Sequence, residues 1–202
     1  MGLREAIEDS RIPVTAVPFD EVVLHQKVIG SDVHLRARLV EALVRQWLLG
    51  SPEITLYRQR MEGYTNGIGL HFNGRRTVEV FYPQYDGPSS ELDAVGAYQN
   101  GTQTHFFAEA KSANLKGITN QVRRGMDVLG AYHGHPCAGI VFAPLRSSHR
   151  TFCQDMREEY PGRLLFVDIG PSIAHIDEIV PELRSAGTYR IQPHSLHHHR
   201  DR

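Results

Sequence analysis

The sequence predicts a mixed α/β domain, a central mixed sheet flanked by helices, and three observations carry that prediction. An amphipathic helical stretch comes first, in "HLRARLVEALVRQWLL" (residues 34–49). A block of short runs broken by turn signals follows, from residue 54 to 111. Two continuous apolar runs close the pattern, "AGIVFA" (138–143) and "RLLFVDIG" (163–170), with a helical stretch between them. Continuous apolar runs joined by helices suit parallel strands buried on both faces, whereas short runs with Asn-Gly and Gly-Pro signals suit antiparallel hairpins.

Along the chain, residues 1–33 combine a short helical start with "IPVTAVP", whose prolines favour extended or loop backbone, and form an N-terminal arm. In residues 34–49, Leu35, Leu39, Leu43 and Trp47 recur every four positions, with Ser31 and Asp32 as N-cap candidates and Gly50 as the stop. After Pro52 the runs "ITLYRQR", "GIGLHF", "TVEVFY", "ELDAVGAY" and "THFFAEAK" describe an antiparallel meander. Ile118, Val122, Met126 and Leu129 form one stripe of a second helix over 117–132. A third helix over 148–159 joins the two apolar strands, and residues 171–186 add a helix interrupted at Pro181. The main domain therefore covers 34–190, and the His-rich end, residues 191–202, is expected to be a disordered tail.

With 202 residues and 41% hydrophobic content the chain can bury one sizeable core. The 22 Lys+Arg against 23 Asp+Glu announce no globally basic surface, so a nucleic-acid contact must come from a local patch. Two cysteines are too few for a disulfide framework, and "MGLREAIEDSRIP" carries charges where a signal peptide needs apolar residues. The expectation is a cytoplasmic protein with free thiols and no membrane span.

The chemistry concentrates at the end of "THFFAEAK". Glu109 and Lys111 are two residues apart on a strand and share one face, with Ala108 and Ala110 on the other. Metal-assisted phosphodiester hydrolysis needs carboxylates to hold a hard divalent cation, and a cation or base near the attacking water. Asp93, Glu109 and Lys111 supply those groups, under one geometric condition. A two-residue Asn100-Gly101 hairpin pairs Gln99 with Thr102 and sets Asp93 opposite Ala108, on the wrong face. A three-residue loop, Asn100 to Thr102, shifts the pairing by one and sets Asp93 opposite Glu109. The site requires a bulge or a bent strand.

"ELD" followed fifteen residues later by "EAK", with an upstream helix carrying Glu41 and a downstream helix containing Gln121, resembles the PD-(D/E)xK nuclease superfamily, also called restriction-endonuclease-like. The likeness is nearest to its Holliday-junction-resolvase and Mrr-type branches. It spans roughly residues 34 to 170 in element order, while the matching motif is a handful of residues. Leu92 stands where the family has proline, and Gly125 where the RecB-like branch needs tyrosine.

The resemblance implies a metal-dependent endonuclease acting on nucleic acid, with DNA the expected substrate and Mg2+ the cofactor, replaceable by Mn2+. It implies that Asp93, Glu109 and the carbonyl of Ala110 hold the metal, while Lys111 positions or activates the water. Some branches add a glutamate from the first helix, matching Glu41, and a glutamine after the lysine, matching Gln121. A homodimer or a larger defence or repair complex also fits. The rival is a noncatalytic nucleic-acid-binding or assembly subunit on the same fold.

The supporting residues each have a second reading. Glu41 can instead pair with Arg38 or Arg45 along its helix, and Gln121 can be an exposed first-turn residue. Glu91 is either a further ligand or a solvated strand start. Lys116, Arg123 and Arg124 either grip phosphates or form a wet helix face. "YHGHPC" gathers His133, His135 and Cys137, yet lacks a second ligand pair at zinc spacing and suits a helix-ending turn. No "GxSxG" elbow or "GxxxxGK" phosphate loop occurs.

Overall fold

The computed structural model describes residues 32–57, 64–72, 77–100, 102–170, 172–174 and 176–177. The expected N-terminal arm up to residue 31 and everything after residue 177, the His-rich tail included, lie outside the described residues.

The first helix is α1 (Asp32–Gly50). Its buried face is Leu39, Val40, Leu43, Val44 and Leu48, the spacing of a stripe turned to a sheet, and Trp47 meets Phe142 edge-on with centroids 5.5 Å apart. The strands that follow are β1 (Ile54–Leu56), β2 (Gly69–Phe72), β3 (Val78–Phe81), β4 (Ser90–Leu92), β5 (Ala94–Asn100) and β6 (Thr102–Ala110). Then come α2 (Ile118–His133), β7 (Ala138–Ala143), a 3-10 turn (Ser147–His149), α3 (Arg150–Glu159) and β8 (Leu164–Asp168).

The main sheet has five strands in the order β1-β5-β6-β7-β8. β5 is antiparallel to β1 and β6, while β6, β7 and β8 run parallel, so β6 is the strand at which the sheet changes character. The two apolar runs are the parallel strands β7 and β8, as continuous burial on both faces predicts. Mixed α/β architecture, a five-stranded mixed sheet flanked by helices, is what the residues form.

Side-chain alternation sorts the two faces. Phe106, Ala108 and Ala110 of β6 join Ala94, Ile140 and Phe142 against α1, where the small alanines let the helix lie close. Phe107 and Val141 point the other way, into a cluster with Ile118, Val122, Met126 and Leu129 of α2 and with Cys153 and Met156 of α3. Phe107 is fully buried over two glycines: a Cβ on Gly125 of α2 would lie 2.6 Å from its ring, and one on Gly139 of β7 would lie 2.8 Å from it. Gly125 therefore has a packing reason. Helical residues 172–174 and 176–177 return to the α1 face through Ile173 and Ile176, and Asp177 accepts a hydrogen bond from Arg36 at 2.8 Å.

One expectation is corrected. The meander is not a single sheet, because β2, β3 and β4 form a separate three-stranded antiparallel sheet and β1 pairs with β5 instead of β2. The cause is a break within "ELDAVGAY": Leu92 ends β4 in the cluster under α2, and Ala94 begins β5 in the cluster under α1. Asp93 is the corner between the sheets. Among the described residues no helix is long and apolar enough to cross a membrane.

Candidate functional site

The register between β5 and β6 pairs Ala94 with Ala108, Gln99 with Gln103 and Asn100 with Thr102. Continued by one residue, it sets Asp93 opposite Glu109, the offset of the three-residue loop and not that of the two-residue hairpin. The bend supplies the rest. Asp93 stands outside both strands, and its Oδ2 accepts a hydrogen bond from the Ala110 backbone N–H at 2.7 Å. A carboxylate thus takes the place of a backbone acceptor at the end of β6, a short charge-assisted bond that anchors the corner.

Glu109 is only 2% exposed. Its Oε2 lies 3.6 Å from Lys111 Nζ, while its Oε1 is buried without a hydrogen-bond partner. A buried unsatisfied acceptor costs about 1–3 kcal/mol, more when charged. Lys111 is held by the sheet, since its backbone N–H donates to Phe142 O at 2.8 Å and extends the β6–β7 ladder.

The electrostatics are those of crowded acids. Burial, then the charge of Asp93, pushes Glu109 from an ordinary 4.5 up to about 8, against the pull of Lys111. Glu41 rises to about 7 through burial and then Asp93, with Lys111 and Arg38 opposing. Asp93 is raised by burial and by Glu91, and lowered by its bond to Ala110 and by Lys111. Glu41, from the opposite face of the sheet, therefore shares one field with Asp93, Glu109 and Lys111. Arg45, one of its two alternative helix partners, has its guanidinium 4.9 Å from the centroid of the Phe72 ring.

A cleft of about 320 Å3 opens beside this group. Glu109, Gln121 and Arg124 line it together with Glu91 and Leu92 of β4 and the Pro88–Ser90 segment. Gln121 and Arg124 thus face the same space as Glu109. Glu91 also accepts a hydrogen bond from Thr77 Oγ1 at 3.3 Å. Arg123 turns away: its Nε and Nη2 each donate to Glu159 of α3 at 2.8 Å. Lys116 is exposed in the loop that leads into α2, its backbone N–H donating to Asn114 Oδ1 at 3.0 Å.

The donor set fits a hard divalent cation in two respects. It offers oxygen ligands only, and one of them, Glu109 Oε1, is buried with nothing to bind. Glu109, raised to about 8, holds its proton at neutral pH, and a cation displaces such a proton on binding.

A second residue set adds His105 of β6, which the sequence reading passed over, to His133 at the end of α2 and His135 just after it. His105 stacks on His133, ring centroids 3.6 Å apart, and His135 lies 5.3 Å from His105 on the same measure. One donor nitrogen from each of the three falls within 4.8 Å of the others, a closeness that no carboxylate triad reaches among the described residues. Burial and the neighbouring rings lower His133 to about 4 and also lower His105. The helix-ending turn expected at "YHGHPC" is present, with Gly134 left-handed at φ 71° after α2. Cys137 is buried, its thiol donating to His135 O at 3.4 Å and pushed up to about 11 by burial. The missing signal was His105, which lies 28 residues before His133 and meets it only through the β6–α2 packing.

No family model matches this chain, and no curated protein or solved structure matches it either.

Proposed function

We propose that this chain is a metal-dependent nuclease on a restriction-endonuclease-like fold, hydrolysing phosphodiester bonds of DNA. One observation carries the reading. Asp93, Glu109 and Lys111 come together at the end of β6 through the one-residue register shift that the motif requires, beside a cleft of about 320 Å3 lined by Glu109.

In this reading Asp93, Glu109 and the Ala110 carbonyl hold Mg2+ or Mn2+, with Glu41 as a further acidic neighbour. The ion supplies charge that offsets the negative charge developing on the scissile phosphate. Lys111 orients the attacking water and favours its deprotonated form. Gln121 supplies an amide to the same cleft, and Arg124 a guanidinium for a flanking phosphate. Lys116 extends the basic path, whereas Arg123 contributes less because Glu159 holds it.

The second reading is a noncatalytic nucleic-acid-binding or assembly subunit on the same fold. It is favoured by the spacing of the acids, which is looser than that of the histidine group. Incubation of the chain with linear, supercoiled and branched DNA and with RNA, in Mg2+ or Mn2+, separates the two. Metal-dependent cutting supports the nuclease. Binding of DNA with no cutting under any of these conditions supports the subunit.

A further inference from the structure

We propose that His105, His133 and His135 form a metal centre separate from the carboxylate cleft, taking a divalent transition ion of the zinc class through three neutral imidazoles. The chemistry of the donors selects the ion: imidazole nitrogen suits zinc, copper, nickel and iron, whereas the oxygen ligands of Asp93, Glu109 and the Ala110 carbonyl suit magnesium. Three histidines with a fourth position left for water form a known zinc arrangement. His105 and Glu109 lie four residues apart on one face of β6, roughly 13 Å, so neither site completes the other.

Neighbouring groups already orient these rings. His135 Nδ1 lies 3.2 Å from Pro136 O, and because a carbonyl can only accept, that nitrogen carries the proton and Nε2 presents its lone pair. This is the backbone contact that metal-bound histidines commonly make with their second nitrogen. The Tyr57 hydroxyl contacts His105 Nδ1 and, at 3.3 Å, His133 Nε2. A phenol has one proton, so it donates to one ring and accepts from the other. The ring that donates to Tyr57 has its far nitrogen free to bind, while the ring that accepts from Tyr57 carries its proton on the far nitrogen, and an ion binding there displaces that proton. An ion here ties β6 to the end of α2 and to the turn before β7.

The four histidines of the tail, His194, His197, His198 and His199, would also bind zinc, so the test starts from the full chain with all four changed to Ser. Titration of that variant with zinc chloride should show one ion bound per chain and a rise in Tm. His135→Ala, at an exposed position, and His105→Ala should each weaken binding at least about 100-fold, beyond the 10- to 100-fold typical of losing an outer-shell partner. Circular dichroism of the metal-free variants checks that they remain folded. Cobalt(II) should give d–d absorption without a thiolate charge-transfer band. Glu109→Gln should leave zinc binding intact. No stoichiometric zinc in the tail variant, affinity unchanged in His135→Ala and His105→Ala, or loss of zinc in Glu109→Gln would each overturn the proposal. None of these readouts depends on nuclease activity.

Discussion

Glu109→Gln keeps the shape of the side chain and removes its charge, and the structure sets the sign of the outcome. The folded chain holds the Glu109 proton up to about pH 8, while the unfolded chain releases it near the ordinary 4.5. Stability owed to that proton is fully present below pH 4.5 and is lost as the pH rises to 8, after which the loss is constant. A shift of that size corresponds to about 4–5 kcal/mol. Asp93 and Glu41 share the field that produces it, and glutamine forfeits the contact with Lys111. The net advantage of the variant above pH 8 is therefore roughly 1–3 kcal/mol, or about 3–10 °C in Tm for a chain of this size. Thermal unfolding in EDTA at pH 8.5 and pH 5 measures it: the variant should melt higher at pH 8.5, and the gap should close at pH 5. Mg2+ should then raise the Tm of the wild type and leave the variant unchanged. A variant that melts no higher than wild type at pH 8.5 in EDTA would refute the electrostatic account.

Gly125→Ala drives a methyl group into the Phe107 ring and should cost about 1–3 kcal/mol in denaturant unfolding, with Phe107→Leu in the same chain recovering part of it. Arg124→Ala should lower DNA affinity and reduce the salt slope by about one, whereas Arg123→Ala should change both less, as read by binding isotherms across a salt series. Affinity for Mg2+ should strengthen from pH 6 to pH 9 as Glu41 and Glu109 lose their protons, with proton release visible by calorimetry in buffers of different ionisation enthalpy.

How far the sequence foretells these features depends on range. α1, α2, α3, β7 and β8 are legible because a stripe of period near four, or an unbroken apolar run, is a local property. The split of the meander is not, because Ser90–Asn100 carries no glycine or proline at the bend; the break at Asp93 arises from a bond to Ala110, 17 residues away. The pairing of Asp93 with Glu109 is half legible: the sequence poses two registers, and only strand pairing chooses between them. Gln121 and Arg124 follow from helix position after Lys111, but Arg123, their neighbour, is lost to Glu159, 36 residues on. The histidine group shows the limit most clearly, since His133 and His135 stand out as a motif while His105 looks like an ordinary strand residue.

The nuclease reading rests on Lys111 acting in the chemistry rather than merely neutralising Glu109. Rates of DNA cleavage in Mg2+ by wild type and by Lys111→Ala, measured beside their DNA affinity and Tm, test this most directly. A fall in rate of about 100- to 10,000-fold with affinity and Tm nearly preserved is the predicted result. Cleavage at the wild-type rate by Lys111→Ala, or none by the wild-type chain, would contradict it.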